Sequence, residues 1–459
     1  PALASPAAAA ATPRPTAIVL VTIDTLRADR VSLGGYRLPT TPFLDRLASE
    51  GVVFERAYAT SSWTPPTMAS IFTGAPPMTH GVVSGEIVET KVLRQPVLPE
   101  SFVTVAELAR SNGYRTIGVP SNRHLMRDLG FAQGFDHYFD PPTFMGAAAV
   151  NNKARTLLAA EYGADWTRSW RSHPLFLWLH YFDPHDPYIP YDPWLAAHAP
   201  GAGVGGPDTP VGLVMRELRR RFPKPDAALA EAIRPLYDSE IRRTDQHLED
   251  LWKELQPDDN VLFILTADHG EEIVDHGGLG HSLSLYDELV RVPLLFWWPR
   301  GLPAGVRVGQ PVSAVDILPT LYDLLGLRVP ADLAGRTLAP FWREPSAGGS
   351  ASERRPVFLE LDPPKPLLWA VVDGDRKLIV DPSPPAAAEL FDLTNDPGEK
   401  VNLAAREPAV VERLRSELRA WARKNPRAPD QRTRDRLDDE LRKELEALGY
   451  LGDAPPAPR

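Results

Sequence analysis

Two short apolar runs, each closed by an acidic residue, constrain the fold of this 459-residue chain more than any other feature. The first is Ala17-Ile-Val-Leu-Val-Thr-Ile-Asp24. The second is Val261-Leu-Phe-Ile-Leu-Thr-Ala-Asp268-His269-Gly270. Both are strand-length, β-rich and apolar without alternation, which is the pattern of parallel strands covered on both faces. Open α/β sheets bind ligands beyond the carboxyl ends of such strands. Asp24, Asp268 and His269 are therefore expected to meet at one edge of one sheet.

The rest of the chain continues the alternation. Pro42 to Glu50 and Val103 to Asn112 read as helices, and Arg115–Pro120 and Leu175–Tyr181 as strands. Ala227 to Leu255 reads as a long helical region with Ile233, Leu236, Ile241 and Leu248 at apolar spacing, and Leu294 to Trp298 as a further strand. The pattern predicts an α/β fold with a large, mainly parallel sheet flanked by helices. From about Arg355 the texture changes. Val357–Leu361, Leu367–Asp373 and Arg376–Val380 read as short strands, with Asp373-Gly-Asp375 as a hairpin turn. Val410 to Lys424 reads as a helix with Val411, Leu414, Leu418 and Trp421 on one face. The expected division is a disordered tail at 1–15, a catalytic α/β domain at 16–350, a small C-terminal antiparallel sheet plus helix at 351–425, and a charged, Pro-rich tail at 426–459 in which Leu437 to Leu448 reads as a helix.

Composition excludes some functions. A net charge of -10 argues against a nucleic-acid partner, which favours basic patches. No apolar stretch is long enough to span a bilayer, the longest being the strand-length run Val292 to Trp298. The chain has no cysteine, so disulfides are absent and the redox compartment stays open. It does not begin with Met, which fits a mature form or an excised soluble region.

The acids and the histidine carry recognisable chemistry. Carboxylate oxygens and an imidazole suit Zn²⁺ or Mn²⁺ better than Ca²⁺, which prefers all-oxygen shells. The alternative has Asp24 capping the next helix and Asp268-His269-Gly270 as a plain turn. Between the two runs lies Tyr58-Ala-Thr-Ser-Ser-Trp-Thr-Pro-Pro-Thr-Met-Ala-Ser-Ile-Phe-Thr-Gly74. Thr60, Ser61, Ser62, Thr64 and Thr67 all offer hydroxyls that a base or a metal can activate. Trp63-Thr64-Pro65 suits a sharp entry into a helix over Thr67–Phe72, with Pro in the first turn and exposed N–H groups for an anionic oxygen. There Thr64 can also serve as the N-cap.

Further segments follow in order: Ile23-Asp-Thr-Leu-Arg-Ala-Asp29, Thr41-Pro-Phe-Leu-Asp-Arg-Leu47, Thr64 through Gly74, and His180-Tyr-Phe-Asp-Pro-His-Asp-Pro-Tyr188. Thr266-Ala-Asp-His-Gly-Glu271, Leu285-Tyr-Asp-Glu288, Val315-Asp-Ile-Leu-Pro-Thr320 and Leu390-Phe-Asp-Leu-Thr-Asn-Asp-Pro-Gly-Glu399 complete the set. From about Ala17 to about Leu403 the chain resembles the sulfatase-like branch of the alkaline phosphatase superfamily. The resemblance places Thr64 at the nucleophile position. It implies one principal divalent metal site built from Asp24, Thr64, Asp268 and His269, with Zn or Mn favoured and Ca or Mg open. It implies that His185 contacts anionic oxygens or the leaving group, and gives His281 a similar claim as phosphate donor or general acid. Asn122 stands where the family sets Lys or Asn against the transferring group. Arg27, by its own chemistry, is a candidate for charge stabilisation of the substrate, the alternative being a plain surface ion pair near a helix start. His80, His124 and His276 read as structural residues or as residues behind the site. Two-metal relatives carry an Asp four residues before the equivalent of His185, whereas this chain has Tyr181.

One departure decides the expected chemistry. Sulfatases of the usual kind convert a Cys or Ser, followed by x-Pro-Ser-Arg, into formylglycine. Here the stretch is Thr64-Pro65-Pro66-Thr67-Met68. Thr cannot become an aldehyde, because its carbinol carbon carries a methyl group. Thr25 also replaces the second acid of the usual Asp-Asp pair. The chain thus looks like a Thr-nucleophile member: a metal-dependent hydrolase of phosphate esters, either phosphodiesters or phosphonate monoesters, acting through a covalent phospho-threonine. A phosphoethanolamine or phosphoglycerol transferase, a promiscuous sulfatase and an inactive substrate-binding member are the alternatives. The expected partner is a small-molecule or lipid- or glycan-linked anionic ester, read by the loops 140–175 and 190–225. A periplasmic or secreted location is expected.

Overall fold

The computed structural model of the protein describes residues 14–83, 86–87, 93–202, 210–343, 354–362, 367–383, 387–428 and 433–436. The sequence-predicted helix at 437–448 and most of the N-terminal tail lie outside the described residues. Arg14 and Pro15, assigned by sequence to that tail, are tied to the body. The Arg14 carbonyl accepts from Asn260 Nδ2 at 2.9 Å, and the Pro15 carbonyl from the Tyr114 hydroxyl at 2.6 Å.

A nine-stranded sheet organises the molecule. Its strands, in chain order, are β1 (Ala17–Ile23), β2 (Val52–Tyr58), β3 (Arg115–Val119), β4 (His137–Tyr138), β5 (Leu175–Tyr181), β6 (Val261–Ala267), β7 (Arg291–Trp297), β8 (Val306–Val308) and β9 (Val312–Ser313). Their spatial order is β8-β2-β7-β6-β1-β5-β3-β4, with β9 also on β2. β1 pairs in parallel with both β5 and β6, and β7 runs antiparallel to β6 and β2. All seven residues of β1, β5 and β6 are buried, as the unbroken apolar runs predict. Register then does the work of assembly: Ile23 sits beside both Tyr181 and Ala267, so the three strands end level. β2 escapes a reading by pattern because Glu55 and Arg56 interrupt its apolar run; Glu55 is exposed at that point.

Four helices matter to the argument. α1 (Pro42–Ser49) and α3 (Ala227–Leu255) cover the sheet, and α2 (Thr64–Thr73) is buried along its whole length. α2 begins at Thr64 itself, with Trp63 at the cap position and no side-chain cap bond. That corrects the reading of Thr64 as an N-cap: its hydroxyl is directed elsewhere.

A second, four-stranded antiparallel sheet follows, made of β10 (Val357–Leu361), β11 (Leu368–Asp373), β12 (Arg376–Val380) and β13 (Ala388–Asp392). Asp373 pairs with Arg376 across a turn in which Gly374 adopts φ +58°, the left-handed region that glycine tolerates. Alternation splits its apolar side chains between two faces. Val371, Leu378, Val380 and Leu390 pack on Leu414 and Leu418 of helix α4 (Pro408–Lys424). Leu359, Leu361, Ala370, Val372 and Ile379 pack on Tyr58, Leu285, Leu289 and Val290 of the larger body. The predicted C-terminal tail needs one correction: Thr433–Arg436 forms a strand on Leu93–Pro96. Among the described residues no helix is long and apolar enough to cross a membrane.

Candidate active site

The level ends of β1, β5 and β6 bring the predicted residues together. Asp24 follows β1 directly, and its backbone N–H donates to the Tyr181 carbonyl at 2.8 Å. Its Oδ2 accepts from Asn122 Nδ2 at 2.9 Å, and its Oδ1 has no partner. Asp24 therefore caps no helix; the next helical turn starts at Ala28 with Arg27 before it. Asp268 follows β6. Its Oδ1 accepts from the backbone N–H groups of Thr25 at 3.2 Å and His269 at 2.8 Å, while its Oδ2 has no partner. His269 Nδ1 donates to the Gly270 carbonyl at 2.8 Å, which turns the Nε2 lone pair toward the acids. That Nε2 lies 3.2 Å from Thr64 Oγ1, 3.6 Å from Asp24 Oδ1 and 3.8 Å from Asp268 Oδ2.

These residues fit a divalent cation. One ligand atom each from Asp24, Asp268 and His269 falls within 4.8 Å of the others, and all three side chains are buried. Two buried carboxylate oxygens without partners are costly unless something cationic meets them. The electrostatics agree. Burial, and then the charge of Asp268, push the Asp24 carboxyl well above its usual range, against the Asn122 amide. Burial pushes His269 down, against the pull of Asp268, which favours the neutral ring, the form that ligates metal.

His185 and His281 complete the group. Their ring centroids lie 5.1 Å apart, and the His281 ring lies 4.6 Å from that of His269. His185 Nδ1 donates to the Asp186 carbonyl at 2.8 Å, and its ring stacks on Phe182 at 4.4 Å. His281 Nδ1 lies 3.0 Å from Glu271 Oε1. Ser282, at φ +67°, donates its N–H to the Ser62 carbonyl at 3.0 Å, pinning the His281 loop to the segment that bears Thr64. Gly270 is required here by space: a Cβ would meet the Glu288 carbonyl at 2.0 Å.

Two residues expected to bind substrate make contacts within the protein. The Asn122 amide braces Asp24 through Nδ2, and its Oδ1 accepts from the His124 N–H at 2.9 Å. Arg27 has five N–H donors, and all five are used. They go to Asp29, Asp275 and the Glu271 carbonyl, so the buried guanidinium is a structural ion-pair centre. Of the histidines set aside by sequence, His80 bridges Ser70 Oγ and the Val82 N–H, and burial pushes it down to about 3. Sequence reasoning missed Glu271 and His180. Glu271 stands two residues after His269 in the quoted motif, and burial and then Asp186 push it well above its usual range. A signal for His180 existed: a histidine in the penultimate position of a buried strand faces the ligand edge.

The family model described as "Sulfatase" matches residues 16–327, and the model "N-sulphoglucosamine sulphohydrolase, C-terminal" matches 276–424. A Delta 4,5-hexuronate-2-O-sulfatase of Bacteroides thetaiotaomicron is 27% identical over 448 residues, covering 87% of this chain and 86% of that protein. Human arylsulfatase A is 27% identical over 485 residues, covering 89% and 88%. The fold is also that of the phosphonate monoester hydrolase of Agrobacterium radiobacter, at TM-score 0.66 and 24% identity over 90% of this chain and 96% of that one. With the family model matching most of its length and an acid–histidine cluster at the expected sheet edge, this chain belongs to the sulfatase family and is a sulfatase-family hydrolase.

Proposed function

We propose that this protein hydrolyses phosphate esters, phosphodiesters or phosphonate monoesters, through a covalent phospho-Thr64. The observation that carries the reading is Thr64 Oγ1 at 3.2 Å from His269 Nε2, beside two buried carboxylate oxygens without partners. Asp24, Asp268, His269 and Thr64 would hold the cation, with Zn or Mn favoured by the mixed oxygen–nitrogen set. When bound, it would lower the proton affinity of the Thr64 hydroxyl and offset charge on the transferring group.

The chain's own groups supply the rest. In the first displacement Thr64 Oγ, as alkoxide, forms a bond to phosphorus while the bond to the leaving oxygen breaks. His281, backed by Glu271, gives that oxygen its proton. In the second, a water oxygen attacks phosphorus, its proton passes to His281, and the bond from phosphorus to Thr64 Oγ breaks. His185, held by its Asp186 contact and its stack on Phe182, is assigned to the anionic oxygens. A threonine ester cannot collapse as a hemiacetal does, so both steps occur at the central atom, a course suited to phosphorus.

Sulfate-ester hydrolysis is the second reading, favoured by the names of the two curated relatives. Matched aryl esters separate the two. Metal content and kcat/KM are measured for a phosphate monoester, a phosphodiester, a phosphonate monoester and a sulfate. A phosphorus ester is expected to rank first; a sulfate that outranks every phosphorus ester overturns the assignment. A periplasmic or secreted location is proposed on the family resemblance and is checked by fractionating the source cells.

A further inference from the structure

We infer that His180 is a positioning residue of the metal centre, holding the cation-facing oxygen of Asp268. The inference rests on the metal-dependent reading above. His180 is fully buried on β5, and β1 separates that strand from β6, which carries Asp268. Thr22, His180 and Thr266 lie level across the three strands, so the imidazole projects over β1 toward the Asp268 side. His180 Nε2 has no hydrogen-bond partner and lies 3.7 Å from Asp268 Oδ2, which has none either.

The other ring nitrogen decides which form faces the acid. Nδ1 lies 2.8 Å from Ser121 Oγ. A neutral imidazole carries one N–H and one lone pair, whereas a serine hydroxyl rotates to donate or accept. Opposite a carboxylate oxygen a lone pair is repelled and an N–H attracted. Ser121 then donates to Nδ1, and Nε2–H points at Asp268 Oδ2. A short closing movement makes the bond.

The consequence is a carboxylate fixed at both ends. Thr25 and His269 backbone N–H groups hold Oδ1. His180 takes one lone pair of Oδ2 and leaves the other toward His269 Nε2 and Asp24 Oδ1. Outer partners of this kind set the orientation of metal-binding carboxylates and tune affinity.

The test is calorimetric titration of Zn²⁺ and of Mn²⁺ into the demetallated full chain. His180→Leu is expected to weaken Kd by about 10- to 100-fold, the range for lost outer-shell partners. His180→Gln, whose amide N–H reaches the Nε2 position, should recover most of the affinity. His180→Asn, whose amide stops at the Nδ1 position, should not. Comparing Gln with Asn keeps the test valid where the apolar variant folds poorly, since a merely structural role would not separate two amides. Equal affinity in folded Gln and Asn variants overturns this inference alone. A wild-type chain that takes up neither ion overturns it together with the metal-dependent reading.

Discussion

Thr64 shows how much one residue decides. Its methyl group bars oxidation to an aldehyde, and its place at the first turn of α2 sets the hydroxyl against His269. Thr64→Ala is expected to lower kcat by about 10⁴-fold or more, the scale seen when a covalent nucleophile is removed. Fold, followed by thermal melting, should hold. Turnover near wild type on the best substrate would dismiss the nucleophile. Asp24→Asn should instead lose metal and activity together, since it takes one of the two carboxylate charges out of the buried Asp24–Asp268–His269 cluster. Retention of full metal content by that variant contradicts the ligand assignment. Arg27→Met should lower Tm but leave KM unchanged, because every donor of that guanidinium is engaged within the protein. A selective rise in KM would return Arg27 to the substrate.

At the scale of elements, the segment between β6 and β7 is clamped by the small sheet. Lys377 of β12 is fully buried and contacts Asp287 Oδ1 at 2.7 Å and Glu399 Oε1 at 2.9 Å. His276 Nδ1 lies 2.6 Å from Glu288 Oε1, and its Nε2 lies 3.1 Å from the Glu399 carbonyl. Both ring nitrogens face acceptors, so although burial opposes the charge, Glu288 raises the His276 pKa above 6.5. A group raised in the folded state contributes stability that is full below its unfolded value and lost as pH rises through the folded one. The Tm gap between wild type and His276→Gln should therefore be widest below pH 6.5 and close above it. A gap that widens with rising pH contradicts the pairing.

For the whole molecule, the two sheets share one cover. The Glu360 N–H of β10 donates to the Thr60 carbonyl at 2.9 Å, and the Glu360 side chain accepts from the Met78 N–H. The small sheet thus braces residues 60–64 on one side and the segment after His281 on the other. Tyr58, Leu285, Leu289 and Val290 are buried beneath it. The intact chain is expected to unfold in one calorimetric transition, and a chain ended at residue 343 to leave that apolar face uncovered and lose activity. Two separated transitions, or an active truncated chain, would show that the small sheet is an independent unit.

Much was legible before any coordinates. Unbroken apolar runs require burial on both faces, which β1, β5 and β6 meet in parallel and the equally apolar β7 meets while running antiparallel; acids at the ends of β1 and β6 fall at the ligand edge by strand direction alone. Ala227–Leu255 and the small sheet's hairpin were readable for the same local reasons, periodicity and turn chemistry. What pattern could not supply was contact between distant segments. Asn122 and Arg27 carry the right chemistry for substrate, yet Asp24, 98 residues from Asn122, and Asp275, 248 residues from Arg27, each take up donors of theirs. Thr433–Arg436 looks like tail by composition, yet it finds an edge strand. The sequence by itself determined which groups could bind a cation and which nucleophile was excluded, because those follow from covalent chemistry. Only the tertiary structure decided which polar groups remain unpaired in the site, because hydrogen-bond satisfaction is settled between segments that meet only when the chain is folded.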